Sequence, residues 1–286
     1  MKRTLSAFAL MSLFIAVPAY GQVADGDALY AKRAEGAQGA MAKAATIDTA
    51  IAAYQRTAKG TEDLEARWKL MRALRFKGAH VARDQDAKKA VFSEAKKVGA
   101  EAMKIVARQL AARGMKSMEK ASERQLADAA RGVPNATQVI YWDTVNWGEW
   151  ALVYGKMAAV KEGAADRIKR GSTVVMMIDP KFEGGGGARI LGRLHNQTPR
   201  VPFVTGWASG SEAVKYLKVS LAQEPSNKLT KVFLAEALSD ANKATRPEAA
   251  RFLREILSTP NDPAHAVEDV KAQNDARAML AAWGMK

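Results

Sequence analysis

Apolar residues recur three or four positions apart along most of this chain. The clearest runs are Ile47, Ile51 and Tyr54; Leu64, Trp68, Met71 and Leu74; and Val91, Ala95, Val98, Ala102, Ile105 and Leu110. A spacing near 3.6 residues is typical of an amphipathic α-helix with one buried face. Many of these positions are alanines, which let neighbouring helices approach closely. The pattern therefore predicts an all-α fold.

Start and stop signals divide this pattern into separate helices. The predicted helices cover residues 25–38, 47–59, 61–78, 84–113, 119–130, 135–160, 161–170, 211–223, 229–241, 246–258 and 264–283. Thr61 is the predicted cap of the third, because acidic residues follow it. The loops between the last helices are short, which predicts antiparallel neighbours. Residues 173–178, TVVMMI, fit either a strand or the buried end of a helix.

One glycine-rich segment, residues 183–202, interrupts the helical pattern. Its notable residues are Gly184, Gly185, Gly186, Gly187, Leu191, Gly192, Pro199 and Pro202. Glycine loses more conformational freedom on folding than any other residue, so four in a row need a structural reason. Either the backbone adopts positive φ there, or another surface comes very close. We expect an irregular central turn where two halves of a helical body meet.

Two C-terminal helices share a spacing of small and apolar residues. Ala213, Leu217, Ser220 and Pro225 define it, and Ala249, Leu253, Ile256 and Pro260 repeat it 36 positions later with the proline one place early. Ala50, Tyr54 and Thr57, and more weakly Ala87, Val91 and Glu94, match in part near the N-terminus. The period is close to the 34 residues or so of a tetratricopeptide repeat. The pattern predicts degenerate tetratricopeptide-like repeats, with an ordinary α-helical bundle as the alternative.

The first 21 residues have the features of a secretory signal peptide. Lys2 and Arg3 precede an apolar run at 5–17, and small residues precede Gln22, where we expect cleavage. An uncleaved anchor is the alternative. Residues 22–286 are predicted to form a single helical-repeat domain, with an N-terminal half at about 22–133, a central segment at 134–205 and C-terminal repeats at 206–286. Because no other apolar run is long enough to span a membrane, we expect a periplasmic protein.

The chain is strongly basic, with a formal net charge of +14. Its lysines and arginines are spread along helices and mixed with acidic residues, which is typical of solvated helix faces rather than of a nucleic-acid site. In the periplasm such a surface favours an acidic protein partner or an anionic membrane. The chain contains no cysteine, so it can form neither a disulfide nor a cysteine-linked lipid anchor.

The familiar catalytic motifs are absent from the sequence. Gly192 is followed by Arg193 rather than Lys, so the glycine segment is not a Walker loop, and no βαβ unit surrounds it. His80, His195 and His265 lie far apart, without partners at metal-ligand spacing. A cell-wall enzyme would need a carboxylate in a cleft, which the sequence does not single out. We therefore expect a non-enzymatic protein without cofactor or metal.

Aromatic residues concentrate between residues 135 and 160. The candidates for binding are Trp142, Trp147, Trp150 and Tyr154. The last three share a helix face, which favours a buried packing surface. The sharper alternative is an aromatic wall that faces a ligand cavity.

The segment from Gly185 to His195, GGGARILGRLH, followed by Pro199, resembles the T component of tetratricopeptide-associated TRAP transporter systems. Members of that family combine a Gly-Gly-x-x-Arg-x-Leu-Gly segment and a nearby proline with a helix of Ala-x-x-x-Leu pattern, here 211–223. The resemblance implies an all-helical periplasmic protein that forms a ring-like homotrimer and docks the solute-binding protein of a TRAP transporter. It also implies a hydrophobic cavity for ligand handling. Those members are lipoproteins, whereas this chain lacks the cysteine.

Arg189 and Arg193 lie four residues apart and share a helix face. Together with His195 and the aromatic residues, they are candidates for binding a carboxylate from a ligand or from a partner protein. The alternative is that the two arginines brace helix carbonyls or pair with Asp179 and Glu183. The sequence also leaves open a scaffold that binds an envelope protein and no small ligand.

Overall fold

A computed structural model describes residues 19–201 and 205–285. Most of the predicted signal peptide and Pro202 lie outside these residues. The described part contains thirteen α-helices: α1, Ala19–Ala31; α2, Ala44–Ala58; α3, Leu64–His80; α4, Gln85–Ala112; α5, Glu123–Ala130; α6, Ala136–Tyr154; α7, Lys156–Lys161; α8, Ala164–Ile178; α9, Phe182–Gln197; α10, Gly210–Gln223; α11, Lys228–Ala241; α12, Arg246–Ser258; and α13, Ala266–Ala282. It contains no β-strand, only an isolated bridge between Gln38 and Met41. The predicted all-α fold is confirmed.

Successive helices pack against one another to form a continuous stack. Helix α5 is the exception, because α4 packs directly on α6 and α5 lies against α8. The described residues form four cores: an N-terminal core from α1 to α4, a central core from α3 to α8, a C-terminal core from α10 to α13, and an aromatic core where Trp147 and Trp150 of α6 meet α4, α8 and α9. Val267, in the first turn of α13, packs into the N-terminal core. The last helix therefore contacts the first part of the stack.

The ends of several helices are fixed by side-chain caps. Asp63 accepts hydrogen bonds from the backbone of Glu65 and Ala66, so the cap of α3 is Asp63 and not Thr61 as the sequence suggested. Ser122 and Gln125 form a reciprocal capping box at α5. Such caps satisfy backbone N–H groups that have no partner within the helix.

Two boundaries in the centre of the chain differ from those expected. The predicted helix 135–160 is broken at Gly155, whose φ of 86° ends α6 and starts the short α7. Residues 173–178 form the end of α8 rather than a strand, since α8 begins at Ala164 and continues to Ile178. Their Val174 and Val175 are buried in the central core.

The small and apolar positions that suggested repeats are packing faces. The repeated positions in α10 and α12 are all fully buried: Ala213, Leu217, Ser220, Ala249, Leu253 and Ile256. Ala50, Tyr54 and Thr57 are likewise buried in α2, whereas Glu94 of the weakest match is exposed. Burial of these helix faces accounts for the spacing of the small and apolar residues.

Candidate functional site

The glycine segment is irregular at three residues only. Within α9, Glu183, Gly184 and Gly185 have φ values of 50°, 60° and 75°, in the left-handed region that favours glycine. From Gly186 onward the helix is regular. The predicted irregular turn is thus confined to the start of α9, and the remaining glycines need another explanation.

Close approach of neighbouring helices provides that explanation. A Cβ atom on Gly185 would lie 2.9 Å from the Cα of Ser220 in α10, and one on Gly187 would lie 3.0 Å from the carbonyl oxygen of Ser172 in α8. At Gly192 the added atom would lie 2.5 Å from Leu217 Cγ. Because backbone atoms cannot move aside as a flexible side chain can, glycine lets α9 fit tightly between α8 and α10.

The guanidinium of Arg189 is buried at the centre of this junction. It donates to the carbonyl oxygens of Glu183, at 2.9 Å, and Gly184, at 3.3 Å. It also donates to the hydroxyls of Tyr141 and Thr230, both at 3.3 Å. No carboxylate of the described residues forms an ion pair with it. Arg189 therefore holds the left-handed turn and joins α6, α9 and α11, as in the bracing alternative.

Arg193 and His195 also have partners within the fold. Arg193 forms an ion pair with Glu236 of α11, and its guanidinium lies 4.4 Å from the ring centroid of Phe233. His195 is buried, and its Nδ1 accepts a hydrogen bond from the backbone N–H of Ser209 at 3.3 Å. Burial lowers the pKa of His195. Arg193 is thus held by an ion pair at the contact of α9 with α11, and His195 is packed inside the fold.

The aromatic residues separate into two places. Trp147, Trp150 and Tyr154 form one row along α6, with centroid distances of 5.7 Å and 4.7 Å between neighbours. The Nζ of Lys96 lies 3.8 Å from the Trp150 centroid. Trp142 lies elsewhere, edge-on to Tyr141 beside the central core. Since Trp147 and Trp150 are buried, the row is mainly a packing surface, and it reaches solvent at Tyr154.

Beneath the aromatic row lies a buried acid. The Asp143 carboxylate pairs with Arg167 of α8 at 3.2 Å, while its Oδ1 has no hydrogen-bond partner among the described residues. Burial raises the pKa of Asp143 to about 6, although Arg167 opposes this. The acid is covered by packed side chains, so it links α6 to α8 and is not a solvent-facing catalytic group.

Exposed apolar side chains concentrate where α6 ends and α7 follows. In the described part of the chain six large hydrophobic side chains are exposed, and four of them are Leu152, Tyr154, Met157 and Val160. Met157 is 85% exposed and Val160 is 63% exposed. We call these four residues, with the exposed Lys156 and Lys161 beside them, the α7 surface. The sequence pattern does not indicate this surface, because it predicts a single helix over residues 135–160.

The described residues offer no obvious metal or membrane-spanning element. They contain no group of three or more His, Cys, Asp and Glu side chains able to hold a metal ion. None of their helices is both long and apolar enough to cross a membrane. Neither a scan against protein-family models nor a search of curated proteins finds a match for this chain.

Proposed function

We propose that this chain is a non-enzymatic, tetratricopeptide-like helical docking protein of the periplasm, and that it binds a partner protein through the α7 surface. The observation that carries the proposal is the clustering of exposed large apolar side chains at residues 152–160, since elsewhere in the described part of the chain only Val201 and Val219 are exposed in this way. Exposed apolar clusters rimmed by polar residues are typical of protein interaction sites.

The α7 surface rests on a rigid support. Ala158 and Ala159 pack against the aromatic core beneath, so the intervening helix turns Met157 and Val160 toward solvent. Lys96 contacts the aromatic row and pairs with Glu162 at 3.0 Å, which ties α4 to the residue after α7. The backbone of α7 is thus held against the core, and methionine is enriched at interfaces.

Charge indicates the chemistry of the partner. Lys156 and Lys161 flank the exposed apolar pair, and the whole chain carries a formal charge of +14. A complementary surface has an apolar recess bordered by carboxylates, because opposite potentials speed encounter and fix the register. By the resemblance of residues 185–195, the partner is the solute-binding protein of a TRAP transporter.

A scaffold without a small ligand is the second candidate. It is favoured by the internal contacts of Arg189, because its buried guanidinium is occupied by four hydrogen bonds within the fold. In that case the α7 surface docks a different envelope protein, and the rest of the stack only supports it.

Site-specific photo-crosslinking in the periplasm tests the docking proposal. A photoreactive amino acid replaces Met157 or Val160, and in the control it replaces Lys243, an exposed residue beside the C-terminal core. We expect one dominant protein adduct from positions 157 and 160 and none from position 243. A TRAP solute-binding protein in the adduct supports the transporter role, whereas another envelope protein supports the scaffold. No adduct at 157 and 160, or equal adducts at all three, refutes docking at this surface.

The assembly state is tested separately. The resemblance implies a homotrimer, and native mass spectrometry of the purified protein measures the mass of the assembly directly. A trimer supports the transporter-associated role, and a monomer at micromolar concentration contradicts it.

A further inference from the structure

A group of arginines and aromatic rings lies between α1, α3 and α13, away from the α7 surface. Arg33 pairs with Glu268 at 3.0 Å, and Arg75 pairs with Glu149 at 3.0 Å. Arg72 differs from both. Its closest carboxylate is Asp27, at 3.9 Å, and its Nε is buried without a hydrogen-bond partner in the described part of the chain.

Asp27 is already engaged by closer partners. One of its oxygens accepts a hydrogen bond from the Tyr54 hydroxyl at 2.7 Å, and the other pairs with the ammonium of Lys69 at 2.6 Å. Arg72 also interacts with the Tyr54 hydroxyl, but its ion-pair distance to Asp27 is longer than those of Arg33 and Arg75 to their carboxylates. Its charge is therefore the least compensated of the three arginines.

Two aromatic rings fix the position of the Arg72 guanidinium. Its central carbon lies 4.0 Å from the Tyr30 centroid and 5.0 Å from the Trp68 centroid. A planar guanidinium that rests on aromatic faces keeps its N–H donors in the plane of its edge, where they match a carboxylate. The side chain is 23% exposed although its Nε is buried, so the part of the guanidinium that reaches solvent carries the two Nη groups. The donor group is thus positioned before any ligand binds.

Other polar atoms nearby also lack partners. Both ring nitrogens of His80 and Oε2 of Glu268 are buried without a hydrogen-bond partner among the described residues. Glu268 joins Arg33, whose guanidinium lies on the same Tyr30 ring as that of Arg72, at 4.6 Å. Buried polar groups are usually paired, so several exceptions in one neighbourhood call for an explanation.

We propose that Arg72, Tyr30 and Trp68 form a binding site for a monocarboxylate with an apolar or aromatic body. The two Nη groups of the guanidinium bind the carboxylate in a bidentate manner, and the half-buried rings contact the body of the ligand. The charged groups around it include both signs: Arg33, Lys69 and Arg75 against Asp27, Glu65, Glu149 and Glu268. The surrounding carboxylates disfavour a dianion such as phosphate. This site does not depend on docking at the α7 surface.

Isothermal titration calorimetry of the full-length protein with benzoate tests this site. Benzamide is the matched neutral probe, and inorganic phosphate tests the charge preference. We expect benzoate to bind, and we expect benzamide and phosphate to bind at least about tenfold more weakly, because each charge-assisted bidentate contact contributes substantially to affinity.

Two variants assign the binding to Arg72. Arg72→Gln removes the planar guanidinium and its charge, while Arg56→Gln removes an exposed positive charge from α2. We expect Arg72→Gln to weaken benzoate binding at least about tenfold and Arg56→Gln to leave it unchanged. Arg72→Lys, which keeps the charge but loses the planar fork, is expected to bind weakly as well. Thermal unfolding of each variant shows whether the protein remains folded.

Several results would overturn the assignment. These are equal affinity for benzoate and benzamide, tighter binding of phosphate than of benzoate, unchanged benzoate affinity in folded Arg72→Gln, and no benzoate binding at millimolar concentration. If Arg72→Gln does not fold, the Arg72→Lys variant decides between binding and packing.

Discussion

Replacing Arg189 by Ala tests whether this arginine braces the fold or binds a partner. Its guanidinium makes four hydrogen bonds, two to carbonyls of the left-handed turn and two to hydroxyls of α6 and α11. Hydrogen bonds of charged groups contribute about 1.5–3 kcal/mol each to stability. Part of this contribution is offset in the wild type, because burying a cation costs solvation free energy, and the Ala variant avoids that cost. Three of the four bonds are long, at 3.3 Å. We expect the free energy of unfolding to fall by about 3 kcal/mol.

Arg193→Ala is the matched control, four residues along the same helix. Its ion pair with Glu236 is partly solvated, with 26% and 30% of the two side chains exposed. Partly exposed pairs contribute little, so we expect a loss of about 1 kcal/mol or less.

Guanidinium chloride unfolding followed by far-ultraviolet circular dichroism measures both variants. The midpoint should fall much further for Arg189→Ala than for Arg193→Ala, at similar slopes. Equal stabilities for the two variants, together with weakened partner binding only in Arg189→Ala, would refute the bracing role and restore the binding interpretation of this residue.

The remaining predictions concern glycine packing and pH. Gly192→Ala should lower the free energy of unfolding by about 1–3 kcal/mol, because the added methyl overlaps buried Leu217; unchanged thermal stability would argue against tight packing there. Gly148→Ala should instead raise the free energy of unfolding by about 0.5–1 kcal/mol, because alanine favours a helix more than glycine does and no atom lies within 4 Å of the added carbon in α6. Burial raises the pKa of Asp143 to about 6, so protonation favours the folded state. Relative to the wild type, Asp143→Asn should therefore lose thermal stability as the pH falls from 7 toward 5. Burial lowers the pKa of His80 to about 4, so protonation favours unfolding, and His80→Gln should gain relative stability over the same range. If the thermal stabilities of the two variants, each relative to the wild type, changed in the same direction with pH, the pKa directions given for Asp143 and His80 would be contradicted.

Hydrophobic spacing was sufficient to predict most helices. The predicted helix 246–258 coincides with α12, and 84–113 differs from α4 by one residue at each end. These helices bury regular apolar faces and have clear end signals, so local sequence determines them. The break at Gly155 was missed, since a glycine inside a periodic segment does not reveal whether its φ is positive.

The roles of individual side chains were less accessible from sequence. The spacing of Arg189 and Arg193 predicts one helix face, but only the packing of α9 against α11 shows that Arg189 is buried and that Arg193 pairs with Glu236. The group around Arg72 joins Tyr30, Trp68 and Glu268, which lie far apart along the chain. Such contacts depend on how α13 folds back on the N-terminal core, and no local pattern encodes that.

Hydrogen–deuterium exchange on the complex with the crosslinked partner tests the docking claim most directly. We expect slower amide exchange at residues 152–161 in the complex than in the free protein, and no change across the buried helix α9. Protection confined to other regions, with residues 152–161 exchanging as in the free protein, would contradict docking through the α7 surface.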